Sequence, residues 1–372
     1  MTDPAGTIPQ VLTLQGGDPR QLGVQRGTEG RSGIAGCWDV YRQLFQAHGI
    51  SETVVEREAT RSLAATEAWA THLAAEIRGT AEGAGLPVWK VSALNARTEI
   101  LSLSERARPG ECSTVVSAGA RPFSLQTWDW HEELAAAWHL QSVETGRGRF
   151  VGLTEYGILA KIGLNDAGVG VHLNVLGHRQ DSPGAVPVHV AATQVLHRAA
   201  SLDEAVDILL DAPVQTSSAI TVVTRAGAAI VELSPEGAEV IKPTGGHLLH
   251  TNHFLAPRLA KGEKTELYQP DSQQRIDLLD RRVSAAFQPR QPQDLVPYLC
   301  SVPGDGAELC CVPTPGAGLG SRWATLATVG IDPAAGTLLA SPGAPTDVTA
   351  NSWFRLSPEP AGSNSQDNPK GA

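Results

Sequence analysis

Pro109-Gly110-Glu111-Cys112-Ser113-Thr114-Val115-Val116 divides this 372-residue chain into two regions of different character. Upstream, Val55 to Ala84 is rich in Ala, Glu, Arg and Leu. Leu63, Trp69, Leu73 and Ile77 recur there at helical spacing, which predicts one helix stopped by Gly83-Ala84-Gly85-Leu86-Pro87. A second apolar stretch, Val91 to Leu103, leads into the turn-prone Arg106-Ala107-Arg108-Pro109-Gly110. Downstream, β-like runs follow one another at Thr114–Val116, Phe123–Thr127, Phe150–Glu155, Ile158–Leu164 and Val169–Val175. Gly and Asn/Asp turns separate them, and the pattern reads as an antiparallel meander.

Further along, Val188 to Ala199 is apolar-periodic, and Ser201-Leu202-Asp203-Glu204 is a capping box opening a helix over Ala205–Leu210. Strands are expected at Ala219–Val223 and Ala229–Leu233, a helix over Ser272–Phe287, and a late pair at Trp323–Ile331 and Thr337–Ala340. The end, from Ser357, is polar and rich in Pro, Gly and Ser, so 358–372 is expected to be a disordered tail. Strands, then helices, then strands again describe an α+β layered domain rather than the βαβ alternation of a dinucleotide-binding fold. The expected division is a helix-rich segment over 1–111 and a main domain over 112–357.

Composition narrows the functional classes. The formal net charge is −10 and no Lys/Arg stripe is visible, which argues against nucleic acid and against anionic membrane surfaces as partners. Five cysteines (Cys37, Cys112, Cys300, Cys310, Cys311) are odd in number and widely spaced, which is no disulfide framework. The start, Met1-Thr2-Asp3-Pro4, lacks the basic and apolar regions of a secretory signal, and no apolar run reaches membrane-spanning length. A cytoplasmic setting is expected.

Cys112 is the candidate nucleophile. A free thiol has a pKa near about 8.5 and needs a base to become thiolate. Were the chain cut between Glu111 and Cys112, the new α-amine, with a pKa of about 7.7–8, would be that base. The plain alternative is a buried core cysteine. Seventeen positions on, Trp128-Asp129-Trp130 sets an acid between two large rings. Such an Asp is costly to bury without a partner; an α-ammonium or a substrate amine would serve, and a turn-capping Asp with both Trp residues in the core is the simpler account.

In His250-Thr251-Asn252-His253-Phe254 the Asn amide could donate to a developing oxyanion. Metal binding by His250 and His253 is the weaker reading, because no carboxylate or thiol stands at a telling spacing, and no metal is expected. A cysteine hydrolase working uncut with His253 as base is a further reading. The late cysteines lack a C-x-x-C pair and read as small core residues. Gly316-Ala317-Gly318-Leu319-Gly320 lacks the Lys-Ser/Thr of a phosphate loop.

Together these stretches resemble the acyl-coenzyme A:6-aminopenicillanic acid acyltransferase family, peptidase family C45, of self-cleaving N-terminal nucleophile hydrolases. The resemblance is carried by Glu111-Cys112-Ser113-Thr114, by Gln126-Thr127-Trp128-Asp129-Trp130, and by Thr154-Glu155-Tyr156-Gly157-Ile158 running to Lys161-Ile162-Gly163-Leu164-Asn165-Asp166-Ala167-Gly168-Val169-Gly170 and Asn174. Thr251-Asn252-His253-Phe254 continues it, with Ala324-Thr325-Leu326-Ala327-Thr328 as a weaker fifth. Leu22-Gly23-Val24-Gln25-Arg26-Gly27 is compatible with it.

The resemblance implies an αββα sandwich and autocatalytic scission before Cys112, with 1–111 retained as a small subunit. It implies Asp129 orienting an amine, Asn252 as an oxyanion donor, and a backbone N–H from the chain near Asn174. It also suggests Arg322 as a late polar site residue, with Trp128, Trp130 and His253 beside the substrate. The substrate would be a small N-acyl compound or peptide. No cofactor is implied, although a coenzyme A thioester could be co-substrate of a transferase. Two departures stand out: Glu111 where fungal members have Gly, and Thr127 where the family usually has Asn before Trp-Asp. A non-processing binding protein on the same fold is the alternative that Glu111 supports.

Overall fold

The computed structural model describes residues 9–104, 112–268, 271–286, 288–313 and 315–359. Glu111, and with it the bond expected to be cut, lies outside the described residues, as do Phe287 at the end of the expected late helix and 360–372 of the expected tail.

The first strand, β1 (Val11–Gln15), is followed by six helices: α1 (Pro19–Glu29), α2 (Arg31–Ala47), α3 (Glu52–Trp69), α4 (Thr71–Ala84), α5 (Val88–Asn95) and α6 (Arg97–Leu101). The helix expected over 55–84 is therefore two. The break is at Ala70, whose φ −141° and ψ 71° interrupt the ladder. Its physical reason is tertiary. α4 lies against α1 so closely that a Cβ at Gly23, Gly27, Gly79 or Gly83 would come within 2.1–2.2 Å of a carbonyl oxygen on the facing helix. That approach requires α4 to leave the axis of α3. As expected, α4 stops at a glycine, with Gly85 in the left-handed region at φ 71°.

After Cys112 come β2 (Thr114–Ser117), β3 (Phe123–His131), β4 (Trp138–Glu144), β5 (Arg149–Glu155), β6 (Ile162–Asn165) and β7 (Gly170–Val175). The expected single meander is divided. β2 and β3 belong to a six-stranded sheet ordered β11 (His247–His250)-β2-β3-β12 (Trp323–Asp332)-β13 (Thr337–Pro342)-β14 (Phe354–Leu356), whereas β4 to β7 run through an eight-stranded sheet ordered β1-β4-β5-β6-β7-β8 (Ser218–Val223)-β9 (Ala228–Ser234)-β10 (Gly237–Ile241). A single 3-10 turn at Glu132–Leu134 carries the chain from one sheet to the other. Run spacing does not reveal such a crossing, because a strand that changes sheets keeps its local pattern.

The remaining elements are α7 (Val188–Arg198), α8 (Leu202–Asp211), β8 (Ser218–Val223), β9 (Ala228–Ser234), β10 (Gly237–Ile241) and β11 (His247–His250). These are followed by α9 (Thr265–Tyr268), α10 (Asp271–Ala286), α11 (Val296–Leu299), β12 (Trp323–Asp332), β13 (Thr337–Pro342) and β14 (Phe354–Leu356). The capping box works as read: Ser201 Oγ accepts from the Glu204 amide at 3.2 Å, and Glu204 Oε2 accepts from the Ala200 amide at 2.8 Å.

Three apolar clusters give four layers. Val188, Ala191, Val195, Ala205 and Leu209 of α7 and α8 pack on Val171, Ile220, Val231 and Leu233 of the eight-stranded sheet. Leu278, Leu279 and Val283 of α10, with Leu295 and Leu299, cover Val115, Phe123 and Leu125 on the outside of the six-stranded sheet. Between the sheets lie Val116, Trp128, Trp130, Val329 and Ile331 facing Leu140, Val151, Leu153 and Ile162. This is the αββα sandwich expected, an α+β fold. α2, α5 and α6 contribute Cys37, Tyr41, Leu94 and Ile100 to the same central cluster, and β1 pairs in parallel with β4. The helix-rich first segment thus shares its core with the sheets.

Candidate active site

Cys112 stands two residues before β2, and period-2 alternation sets its surroundings. Val115 faces α10 and Val116 faces the other sheet, so Cys112 is in phase with Val116 and joins the central cluster, 4% exposed. Its Sγ lies 3.8 Å from the Asp129 carbonyl oxygen. Its own carbonyl accepts from Asn174 Nδ2 at 2.9 Å and from Arg275 Nη1 at 3.3 Å. The next residue is fixed as firmly: the Ser113 amide donates to Thr127 Oγ1 at 3.0 Å, and the Thr127 amide to the Ser113 carbonyl at 3.0 Å.

Asn174 comes from the opposite sheet, on β7. Its Oδ1 accepts from Thr114 Oγ1 at 2.8 Å and Gln126 Nε2 at 3.1 Å. Its amide therefore positions the backbone at Cys112. Asn252 donates from Nδ2 to the Val175 carbonyl at 2.9 Å, and its Oδ1 accepts from Arg275 Nη2 at 2.9 Å. An amide nitrogen carries two hydrogens, and the bond to Val175 fixes where the second points.

Asp129 sits between Trp128 and Trp130, which face the other sheet, so its carboxylate turns to the α10 side of β3, the side opposite the thiol. There Thr127 Oγ1 (3.1 Å) and Thr325 Oγ1 donate to it. Burial pushes its pKa up to about 6; the two hydroxyls and the Arg275 charge work in the opposite direction.

The sequence thus brings Cys112, Asp129, Asn174 and Asn252 into one centre. Arg322 is elsewhere: it is half-exposed and ion-paired through Nε with Glu133 at 3.2 Å and Glu132 at 3.3 Å. His253 is bound through Nδ1 to Ser272 Oγ at 2.7 Å, and burial lowers its pKa to about 4, so it is neutral at pH 7. His250 bonds Glu232 Oε1 at 2.9 Å through Nε2. Among the described residues no group of three or more His, Cys, Asp or Glu side chains is placed to hold a metal ion. Trp128 and Trp130 are both buried; Trp130 Nε1 donates to the Tyr41 hydroxyl at 2.9 Å.

The residue that sequence reasoning missed is Arg275. It is fully buried, with Nε on Asp271 Oδ2 at 2.8 Å and Nη1 on Ser113 Oγ at 3.1 Å, besides its bonds to Cys112 and Asn252. A signal existed. Ser272, Arg275, Leu279 and Val283 share the buried stripe of α10, and an arginine on an apolar stripe is an anomaly that calls for a partner. Lys161 and Thr325 lie inside stretches that carry the family resemblance, which implies no role for either.

A sequence profile of the acyl-coenzyme A:6-aminopenicillanic acid acyl-transferase family matches residues 116–345, more than half of the chain. The chain belongs to that family. Among its relatives, the 40 kDa form of acyl-coenzyme A:6-aminopenicillanic-acid-acyltransferase from Emericella nidulans is 29% identical over 251 residues, covering 66% of this chain and 69% of that one. Solved structures with a similar chain include the Caenorhabditis elegans ortholog of N-acylethanolamine-hydrolyzing acid amidase, at 18% identity and TM-score 0.42, covering 66% of this chain and 99% of that one. Penicillin V acylase from Agrobacterium tumefaciens matches at 16% identity and TM-score 0.37, covering 66% and 86%. No helix among the described residues is long and apolar enough to cross a membrane.

Proposed function

We propose that this protein is a self-processing cysteine enzyme of the N-terminal nucleophile type that cleaves or transfers the acyl group of a small N-acyl compound or peptide. The observation that carries the reading is the placement of Cys112. It stands two residues before an interior strand, its carbonyl is held by Asn174 and Arg275, and its thiol is directed between the sheets. Family membership supports the same class of chemistry.

In processing, the Cys112 thiolate attacks the Glu111 carbonyl carbon. The C–N bond breaks, the nitrogen takes a proton, and an ester bond to sulfur forms. Water then hydrolyses that thioester, leaving a Glu111 carboxylate and a free Cys112 α-amine, and 1–111 stays bound through the shared core. In turnover the α-amine takes the thiol proton, the thiolate adds to the substrate carbonyl, and Asn252 donates to the oxyanion. The α-ammonium returns the proton to the leaving amine, and Asp129 orients it. Water or an amine then accepts the acyl group. No cofactor enters these steps; in transfer, a coenzyme A thioester could be the acyl donor.

The test is intact mass under denaturing conditions with N-terminal sequencing. Wild type is expected as two chains, one beginning at Cys112, and Cys112→Ala as a single chain. An alanine variant that matures normally would sink the mechanism; a wild type that stays whole would favour a non-processing binding protein.

The Asp129 carboxyl gives a second expectation. Its pKa in the fold, about 6, exceeds the ordinary value of 3.8, so its ionisation opposes folding. The penalty, of order 3 kcal/mol, is full above pH 6 and fades as pH falls towards 4. In the uncut Cys112→Ala background, where no new amine forms, Asp129→Asn should raise unfolding free energy by about 2–3 kcal/mol at pH 8 and by little at pH 4. Equal effects of denaturant at the two pH values would contradict the assignment.

A further inference from the structure

Behind the two tryptophans lies a buried ionic cluster that the reaction steps above do not use. Lys161, at the entry to β6, is 2% exposed; its Nζ is 2.6 Å from Glu155 Oε2 and 3.8 Å from the centroid of Trp128. Glu155 Oε2 also accepts from Arg97 Nη2 at 2.9 Å, and Glu155 Oε1 from the Tyr41 hydroxyl. The Arg97 guanidinium lies 4.0 Å from the Trp130 centroid.

One carboxylate thus serves two cations. Burial raises the Tyr41 phenol well above its usual value, so it adds no negative charge. Glu99, the next acid, is pushed up to about 7 by burial and accepts from the Val188 amide at 2.8 Å. A surplus buried cation is expensive unless an anion faces it.

Cys112 is in position to be that anion. Continuing the β2–β3 register (Thr114 opposite Gln126) by two residues sets Cys112 opposite Trp128, on the same inter-sheet face and beside the ring that Lys161 covers. Burial lowers Lys161 to about 7, Arg97 adds to that, and Glu155 and an ionised Cys112 oppose it. Coupling of two titrating groups is mutual. Among the described residues, Asp129 on β3 and Arg275 and Asp271 on α10 also lie in this centre, with the Cys311 thiol, raised by burial, ahead of β12. Arg275, the cation in this set, donates to the Cys112 carbonyl, Ser113 Oγ, Asn252 Oδ1 and Asp271 Oδ2.

We propose that Lys161 is a positioning residue for the nucleophile: its ammonium, held by Glu155 against Trp128, stabilises the Cys112 thiolate. The α-amine remains the proton carrier, and Lys161 sets how much thiolate exists for it to use. This rests on Cys112 being the nucleophile.

The test is the pH dependence of Cys112 alkylation by iodoacetamide, followed on the Cys112 peptide by mass spectrometry. The purified full chain is used as wild type, Lys161→Gln and Lys161→Arg. Lys161→Gln should move the thiol midpoint up by about one unit and slow alkylation at pH 7 about tenfold, while Lys161→Arg keeps the wild-type midpoint or lowers it. Superimposable wild-type and Lys161→Gln profiles would overturn the proposal. If Lys161→Gln does not fold, a midpoint raised in Lys161→Arg would do so, because that charge is retained at every pH used. Alkylation needs no turnover, so these outcomes stand apart from failure of the functional reading, which would appear as activity surviving in Cys112→Ala.

Discussion

Replacing Cys112 by Ala is expected to lower kcat/KM for N-acyl substrates by at least about 10⁴-fold, since loss of a covalent nucleophile removes the thioester path altogether. The substitution deletes one sulfur from a site that is 4% exposed, and the carbonyl bonds to Asn174 and Arg275 are made by the backbone and survive it. The fold should therefore persist, and a loss of rate can be assigned to chemistry. The measurement is turnover on a panel of N-acyl p-nitroanilides, joined to a search for an acyl adduct on the Cys112 peptide in wild type. Activity within tenfold of wild type would remove Cys112 from the mechanism. Cys112→Ser tests the point further. An alkoxide is harder to form than a thiolate, so a slow residual reaction is expected, with the oxyanion donors and the amine still in place.

The second large effect is expected at Arg275. Arg275→Met keeps the volume of the stem but strips the donors from the Cys112 carbonyl, Ser113 Oγ and Asn252 Oδ1, all buried, and leaves Asp271 without its 2.8 Å partner. Leaving three buried acceptors without donors, beside a part-exposed carboxylate that loses its cation, costs about 3–5 kcal/mol. The expected result is a shift of the denaturant midpoint of that size with little change in slope, and a fall in turnover of two to three orders of magnitude in whatever fraction folds. Arg275→Lys should recover little, because one ammonium cannot reproduce a planar fork that reaches α10, β2 and the Asn252 loop together. Stability within about 1 kcal/mol of wild type in Arg275→Met would show that the hub is dispensable.

The local pattern around Cys112 was legible for a reason that applies along much of the chain. The alternation of β2 and β3 side chains between the two faces of their sheet, the capping box at Ser201 and the glycine stop at Gly85 are short-range effects, decided by a residue and its near neighbours. The same holds for Cys112, Asp129 and Asn252, each conspicuous in its own segment as a reactive or polar group among apolar or β-forming residues. Arg275 and Lys161 were less visible because each lies in a segment whose composition accounts for it. A helix rich in Arg and Asp, or a turn before a strand, needs no buried cation to be explained, and only burial shows that these two have left water.

Sequence alone determined that this chain is an α+β domain and singled out Cys112 as the candidate for its chemistry, because periodicity and residue type are properties of neighbours along the chain. Tertiary structure decided which strands share a sheet, where the helix over 55–84 breaks, and which cations gather around Cys112. Each of these turns on close approach between segments far apart in sequence: glycine faces of α1 and α4, a change of sheet after β3, and a guanidinium on α10 reaching the Cys112 carbonyl. The free energy of such contacts comes from desolvation and packing across the core, which depend on partners that local pattern does not specify.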